Sequence, residues 1–65
     1  MGGRSVIVTG AVDGIGRAAA LRFAKSRDRL LLVDADGQKG VALRDEINDS
    51  GGTATFIEAE IHQKL

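Results

Sequence analysis

The passage that most limits the fold runs from Ser5-Val6-Ile7-Val8-Thr9 through Gly10-Ala11-Val12-Asp13-Gly14-Ile15-Gly16 into Arg17-Ala18-Ala19-Ala20-Leu21-Arg22-Phe23-Ala24-Lys25. The first run is rich in β-branched residues and lacks the polar–apolar alternation of a half-exposed strand. It reads as a strand covered on both faces, the habit of parallel sheets. From about Ile15 to Lys25 the composition is helical, with Ile15, Ala19 and Phe23 four apart on one face. A buried strand that passes through a glycine loop straight into a helix starts a β-α-β crossover.

The rest of the chain continues that pattern. Leu30-Leu31-Leu32-Val33 is a second apolar run, closed by Asp34. Asp36-Gly37 signals a turn, and Asp36 can cap the helix predicted from about Gln38 to Asn48, with Leu43 and Ile47 on its inner face. Ser50-Gly51-Gly52 stops that helix, and Ala54-Thr55-Phe56-Ile57 reads as a third strand. The order βαβαβ implies parallel strands joined by right-handed crossovers. The expected fold is α/β, a Rossmann-like βαβαβ half: a three-stranded parallel sheet with both helices on one face. The opposite face would be apolar and bare, and one edge of the first strand unpaired. Such a unit needs the remainder of a parent domain, or a self-partner, to cover it.

Composition narrows the class. The chain has 65 residues, no Cys and one His, which leaves no disulfide and no zinc site. A domain of this size buries only about 60% of its unfolded surface, so its core is marginal. Nine basic and nine acidic side chains cancel, and no basic stripe suggests nucleic acid or a charged membrane. No apolar stretch approaches the roughly 18 residues of a membrane span. The N-terminus has neither a secretory signal nor a myristoylation pattern, so the expected setting is cytoplasmic. No linker or repeat divides residues 1–65, which are expected to be one partial domain.

The glycines carry the chemistry. In Thr9-Gly10-Ala11-Val12-Asp13-Gly14-Ile15-Gly16, Gly10 permits the turn out of the strand, Gly14 lets a pyrophosphate approach the backbone, and Gly16 lets helix and strand pack closely. The free N–H groups of the first helical turn, at the positive end of the helix dipole, would face the phosphates. The alternative is a glycine-rich turn with no ligand. Asp34 lies eighteen positions after Gly16, where a carboxylate accepts hydrogen bonds from the adenosine ribose hydroxyls and repels a 2′-phosphate. That favours NAD over NADP, against the plainer reading of a solvated strand-end Asp. Asp13 adds negative charge to the loop without a compensating Arg, again against NADP, or is simply an exposed loop residue.

The segment Thr9-Gly10-Ala11-Val12-Asp13-Gly14-Ile15-Gly16 fits the Thr-Gly-x-x-x-Gly-x-Gly signature of the classical short-chain dehydrogenases/reductases. The helix after it, the Leu30–Asp36 strand and the Gly51–Ile61 segment resemble that family in register, across essentially the whole chain. No Gly-Lys-Ser/Thr follows the loop, which excludes a Walker site. The resemblance implies an NAD-dependent oxidoreductase that moves hydride between NAD and an alcohol or ketone. It also implies an acid at the end of the third strand, bonded to the adenine amino group. Here the matching pair is Glu60-Ile61, with Glu where the family usually has Asp. The expected cofactor-binding set is therefore Gly10, Asp13, Gly14, Ile15, Gly16, Asp34, Glu60 and Ile61.

The family's catalytic Tyr-x-x-x-Lys pair, Ser and Asn belong to its second half, and this sequence has no Tyr. No catalytic residue is expected among these 65, nor any metal ligand; Ser5, Ser26, Ser50 and His62 lack the partners such roles need. The chain then reads as a part truncated before the catalytic half. The alternative is a non-catalytic nucleotide-binding or interaction module, or a truncated gene product. A methyltransferase, which also has a glycine loop and an acid after the second strand, fits the glycine spacing poorly. A further departure is Arg27-Asp28, where the family has Gly and a small residue. A left-handed Arg27 would cost about 1 kcal/mol relative to Gly, and Asp28 would carry a charge to the sheet.

Overall fold

The computed structural model describes residues 3–60. The elements are β1 (Ser5–Thr9), α1 (Gly14–Lys25), β2 (Arg29–Asp34), α2 (Gly37–Asp49) and β3 (Thr53–Glu58). The strands form one parallel sheet in the order β1-β2-β3, with Val8 opposite Leu32 and Leu32 opposite Phe56. This is the predicted βαβαβ half, each element within two residues of its expected limits.

Side-chain alternation divides the sheet. Val8, Leu30, Leu32 and Ala54 point to one face and are buried with Ala20 of α1 and Leu43 and Ile47 of α2. Leu32, at the middle of the central strand, and Ile47 of α2 are the large apolar side chains fully buried at the centre of this cluster. On the other face Ile7 is 67% and Ile57 47% exposed. Both helices therefore cover one face, and the second apolar face predicted from the unbroken strand runs stands open. The outer edge of β1 also has no strand beside it among the described residues.

The α1 stripe of Ile15, Ala19 and Phe23 does share a face, but that face borders the open cleft along β1. The buried residue of α1 is Ala20, one position away from the stripe. Helical period identifies a stripe; which neighbour the stripe meets is decided by how close the helix axis sits to the sheet.

Both helices end the same way. After α2, Gly52 N–H bonds the Ile47 carbonyl and Gly51 N–H bonds that of Asn48, at 2.9 and 3.1 Å. After α1, Asp28 N–H bonds the Phe23 carbonyl and Arg27 N–H that of Ala24, at 3.2 and 3.0 Å. These are Schellman closures, whose left-handed position favours glycine. Gly51 fills it in α2, while Arg27 occupies it at φ 64° in α1, as expected from the sequence.

Asp28 is fully buried but not orphaned. Its carboxylate accepts hydrogen bonds from Arg4 N–H, Nε and Nη2 at 3.3, 3.4 and 3.2 Å. The Arg4 side chain holds this carboxyl below its ordinary range, outweighing the opposing effect of burial. The charge that the sequence places beside the sheet is thus neutralised by a residue 24 positions earlier. On the outer side of β3, the Asn48 amide accepts from Ala54 N–H at 2.8 Å and donates to the Ala54 carbonyl at 3.1 Å, closing part of an edge. No helix among the described residues is long and apolar enough to cross a membrane.

Candidate nucleotide site at the carboxyl ends of the strands

The loop after β1 is fastened to β2. Gly10 N–H and Ala11 N–H donate to the Val33 carbonyl at 2.9 and 3.4 Å, and Asp13 N–H closes back on the Gly10 carbonyl at 3.2 Å. Gly10 takes φ +64°, the left-handed turn that sends the chain out of the strand. Gly16 sits hard against that turn: a Cβ there would overlap the Gly10 carbonyl oxygen and lie 3.2 Å from Ala11 Cα. A Cβ on Gly14 would meet nothing within 4 Å, so the space before the helix is open.

The two helix N-termini differ. At α2, the Asp36 side chain accepts from Lys39 N–H at 3.0 Å and so occupies the terminus. At α1, Asp13 stands at the N-cap without a side-chain cap bond, and the first turn holds no acidic residue. The α1 amides thus face the open space beside Gly14, an arrangement that suits an anion.

Asp34 ends β2 beside this loop. One carboxylate oxygen accepts from Asp36 N–H at 2.9 Å and the other from Val12 N–H at 3.2 Å. The Asp36 N–H, then the Val12 and Ala35 amides and the charge of Lys39, hold the carboxyl below its ordinary value against the opposing effect of partial burial. An ionised carboxylate has about four acceptor positions, so capacity remains for further donors.

Gly10, Asp13, Val33, Asp34, Ala35 and Ala59 line one small hollow. Gly14, Ile15 and Gly16 line the adjoining cleft along β1, which shares Gly10 and Asp13 with the hollow and measures about 710 Å³. Ile15 stands 89% exposed there. Six of the eight expected residues are thus gathered around two contiguous spaces. Glu60 follows Ala59, whose N–H donates to the Asp34 carbonyl at 2.9 Å, but Glu60 does not line the hollow. Ile61 and His62 lie outside the described residues.

Sequence reasoning missed Val33, Ala35 and Ala59 as hollow-lining residues, and the bond from Val12 to Asp34. The two alanines flank predicted positions and were within reach of the same pattern. The Val12 bond uses a backbone amide and has no signature in residue type. Among the described residues, no three His, Cys, Asp or Glu groups gather as a metal site.

Residues 4–64 match the family model of the short chain dehydrogenases. The chain belongs to this family. It is 34% identical over 59 residues to a 3beta-hydroxysteroid dehydrogenase of Mediterraneibacter gnavus, covering 91% of this chain and 21% of that protein. It is 42% identical over 52 residues to a putative daunorubicin C-13 ketoreductase of Streptomyces, covering 80% and 18%. Among solved structures it superposes on a family member from Burkholderia phymatum in complex with NAD, with TM-score 0.86 and 28% identity over 89% of this chain and 21% of the other. It likewise superposes on a metagenomic short-chain oxidoreductase in complex with NADP, with TM-score 0.85 and 33% identity over 92% and 27%. The chain spans about a fifth of the length of the two curated relatives. Its fold is the βαβαβ half of this oxidoreductase family's Rossmann-type domain.

Proposed function

We propose that this short-chain dehydrogenase segment binds a nicotinamide dinucleotide, with NAD preferred to NADP, as the cofactor-holding part of a cytoplasmic oxidoreductase. The observation that carries the reading is the ionised Asp34 carboxylate, lining the same hollow as Gly10 and Asp13 and adjoining the uncapped α1 terminus. The residues fit such a ligand. The α1 amides and the space at Gly14 would take the pyrophosphate. Asp34 would accept the adenosine ribose hydroxyls, and its charge, with that of Asp13, opposes a 2′-phosphate. Ala35 and Ala59 would border the adenine, with Glu60 next in the chain.

When bound, the nicotinamide supplies or accepts hydride; in the parent protein this would pass between NAD and an alcohol or ketone. The residues here bind and orient the cofactor and carry no catalytic group. The remainder of the domain would lie on the bare sheet face and the open β1 edge.

The test is an amide NMR titration of the chain with NAD and then NADP. The expected result is NAD-induced shifts centred on Gly10, Gly14, Gly16 and Asp34, with NADP at least about tenfold weaker because a buried like-charge contact is worth upwards of one decade. Equal affinity for both would refute the preference, and absence of binding to either would refute the site.

A further inference from the structure

We propose that Asp34 is also a positioning residue for the phosphate loop, clamping the loop through Val12 N–H so that the α1 terminus is presented in its binding shape before any nucleotide arrives. The inference rests on the dinucleotide-binding reading and adds to it a physical link between the ribose end and the pyrophosphate end of the site.

The loop between β1 and α1 has four amides, and each has a partner. Those of Gly10 and Ala11 bond the Val33 carbonyl, and that of Asp13 bonds the Gly10 carbonyl. Val12 N–H alone relies on a side chain, the Asp34 carboxylate at 3.2 Å. Val12 lies within the loop and lines the recess between the helices together with Leu43. Ala11, just before it, is fully buried. The orientation of the peptide at Val12 therefore fixes how Asp13 and Gly14 leave the loop, and with them the direction of the first helical amides.

The clamp is itself held. The second Asp34 oxygen accepts from Asp36 N–H at 2.9 Å, and Asp36 caps α2 through Lys39 N–H. A continuous series of bonds thus runs from the α2 terminus through Asp36 and Asp34 to Val12. Both Asp34 oxygens face amide donors, so an amide side chain cannot replace the carboxylate: one of its two ends would set a donor against a donor. Asp34→Asn keeps the size and a ribose-bonding oxygen but breaks one of the two backbone bonds.

The experiment compares two probes, ADP and 2′,3′-dideoxy-ADP, which lacks the ribose hydroxyls, with Val12 amide exchange measured on the same chain. A ribose-only role predicts that Asp34→Asn weakens ADP and leaves the dideoxy compound unchanged. The clamp predicts that the dideoxy compound also weakens, by about tenfold, the effect of losing one hydrogen bond to a charged group, and that Val12 amide exchange accelerates by a similar factor. Unchanged dideoxy-ADP affinity with unchanged Val12 exchange overturns the proposal.

Wild-type measurements keep the test decisive if the variant does not fold. The Val12 and Asp36 amide shifts should inflect together with the Asp34 carboxyl carbon as pH falls, because both amides donate to that carboxylate. A Val12 amide that does not follow Asp34 overturns the clamp. If wild-type chain binds neither nucleotide, the dinucleotide reading fails, while the Val12 exchange and titration still decide the clamp.

Discussion

Replacing Gly16 with Ala would put a methyl group where α1 crosses the start of the phosphate loop. Its carbon would overlap the Gly10 carbonyl oxygen, lie 2.9 Å from the Gly10 carbonyl carbon and 3.2 Å from Ala11 Cα. Carbon atoms prefer separations of about 3.5–4.0 Å. Every atom in the way is backbone, and the Gly10 and Ala11 amides are tied to the Val33 carbonyl. Relief requires α1 to withdraw from the sheet or the loop to break its ties. Overpacking of this kind costs about 1–3 kcal/mol, and each lost loop bond adds about 1 kcal/mol. Against this stands a gain of at most about 1 kcal/mol from the helix propensity of Ala. The net is about 2 kcal/mol of destabilisation, or roughly 8–16 °C in Tm for a domain this small.

The assay is thermal unfolding followed by far-ultraviolet circular dichroism. Gly14→Ala is the control, because a Cβ there meets nothing within 4 Å. That variant should keep its stability to within about 0.5 kcal/mol yet lose most of its NAD affinity, since its methyl group enters the space assigned to the pyrophosphate. A Gly16→Ala chain as stable as wild type would refute the claim that close helix–loop approach is the reason for glycine there. A Gly14→Ala chain that binds NAD normally would refute the placement of the phosphates.

Three other expectations concern the scaffold. Arg27→Gly relieves the left-handed residue that closes α1 and should stabilise the chain by about 0.5–1 kcal/mol after the added freedom of the unfolded state is subtracted; chemical denaturation would show the midpoint rise. Leu32→Ala empties the centre of the core and should cost about 2–5 kcal/mol, which the same denaturation measures. The third is acid sensitivity. The Arg4 side chain holds the Asp28 carboxyl, and the Asp36 N–H the Asp34 carboxyl, below the ordinary carboxylate range in the folded chain, so their contribution is present above about pH 4 and is lost as pH falls through the lower folded values. The denaturation midpoint should hold from neutral pH to about pH 5 and fall below about pH 4, and Asp28→Asn should lower the neutral-pH midpoint and shrink that acid-dependent fall.

Much of the fold was legible because the signals are local. The unbroken run of β1, the glycines after it and Asp36 before α2 each act on residues within a few positions, through turn geometry, capping or strand burial. The candidate site was legible in outline for the same reason: Gly10, Gly14 and Gly16 follow one strand, and Asp34 ends the next. What could not be read were contacts between distant segments. Arg4 and Asp28 lie 24 positions apart, and only the parallel register of β1 and β2 brings them together to neutralise a buried charge. Val12 and Asp34 meet for the same reason across 22 positions, through a backbone amide that residue type does not reveal.

The sequence by itself determined the element order and the winding of the chain, and it placed the glycines and the aspartate on which the proposed phosphate and ribose contacts rest, because hydrophobic period and glycine placement act along the chain. Tertiary structure alone decided which faces those elements share. It turned Ile15, Ala19 and Phe23 toward the open β1 cleft and put Ala20 in the core. It placed Asp34 under two backbone amides. These outcomes depend on how closely helix and sheet approach, a distance set by the packing of all five elements together.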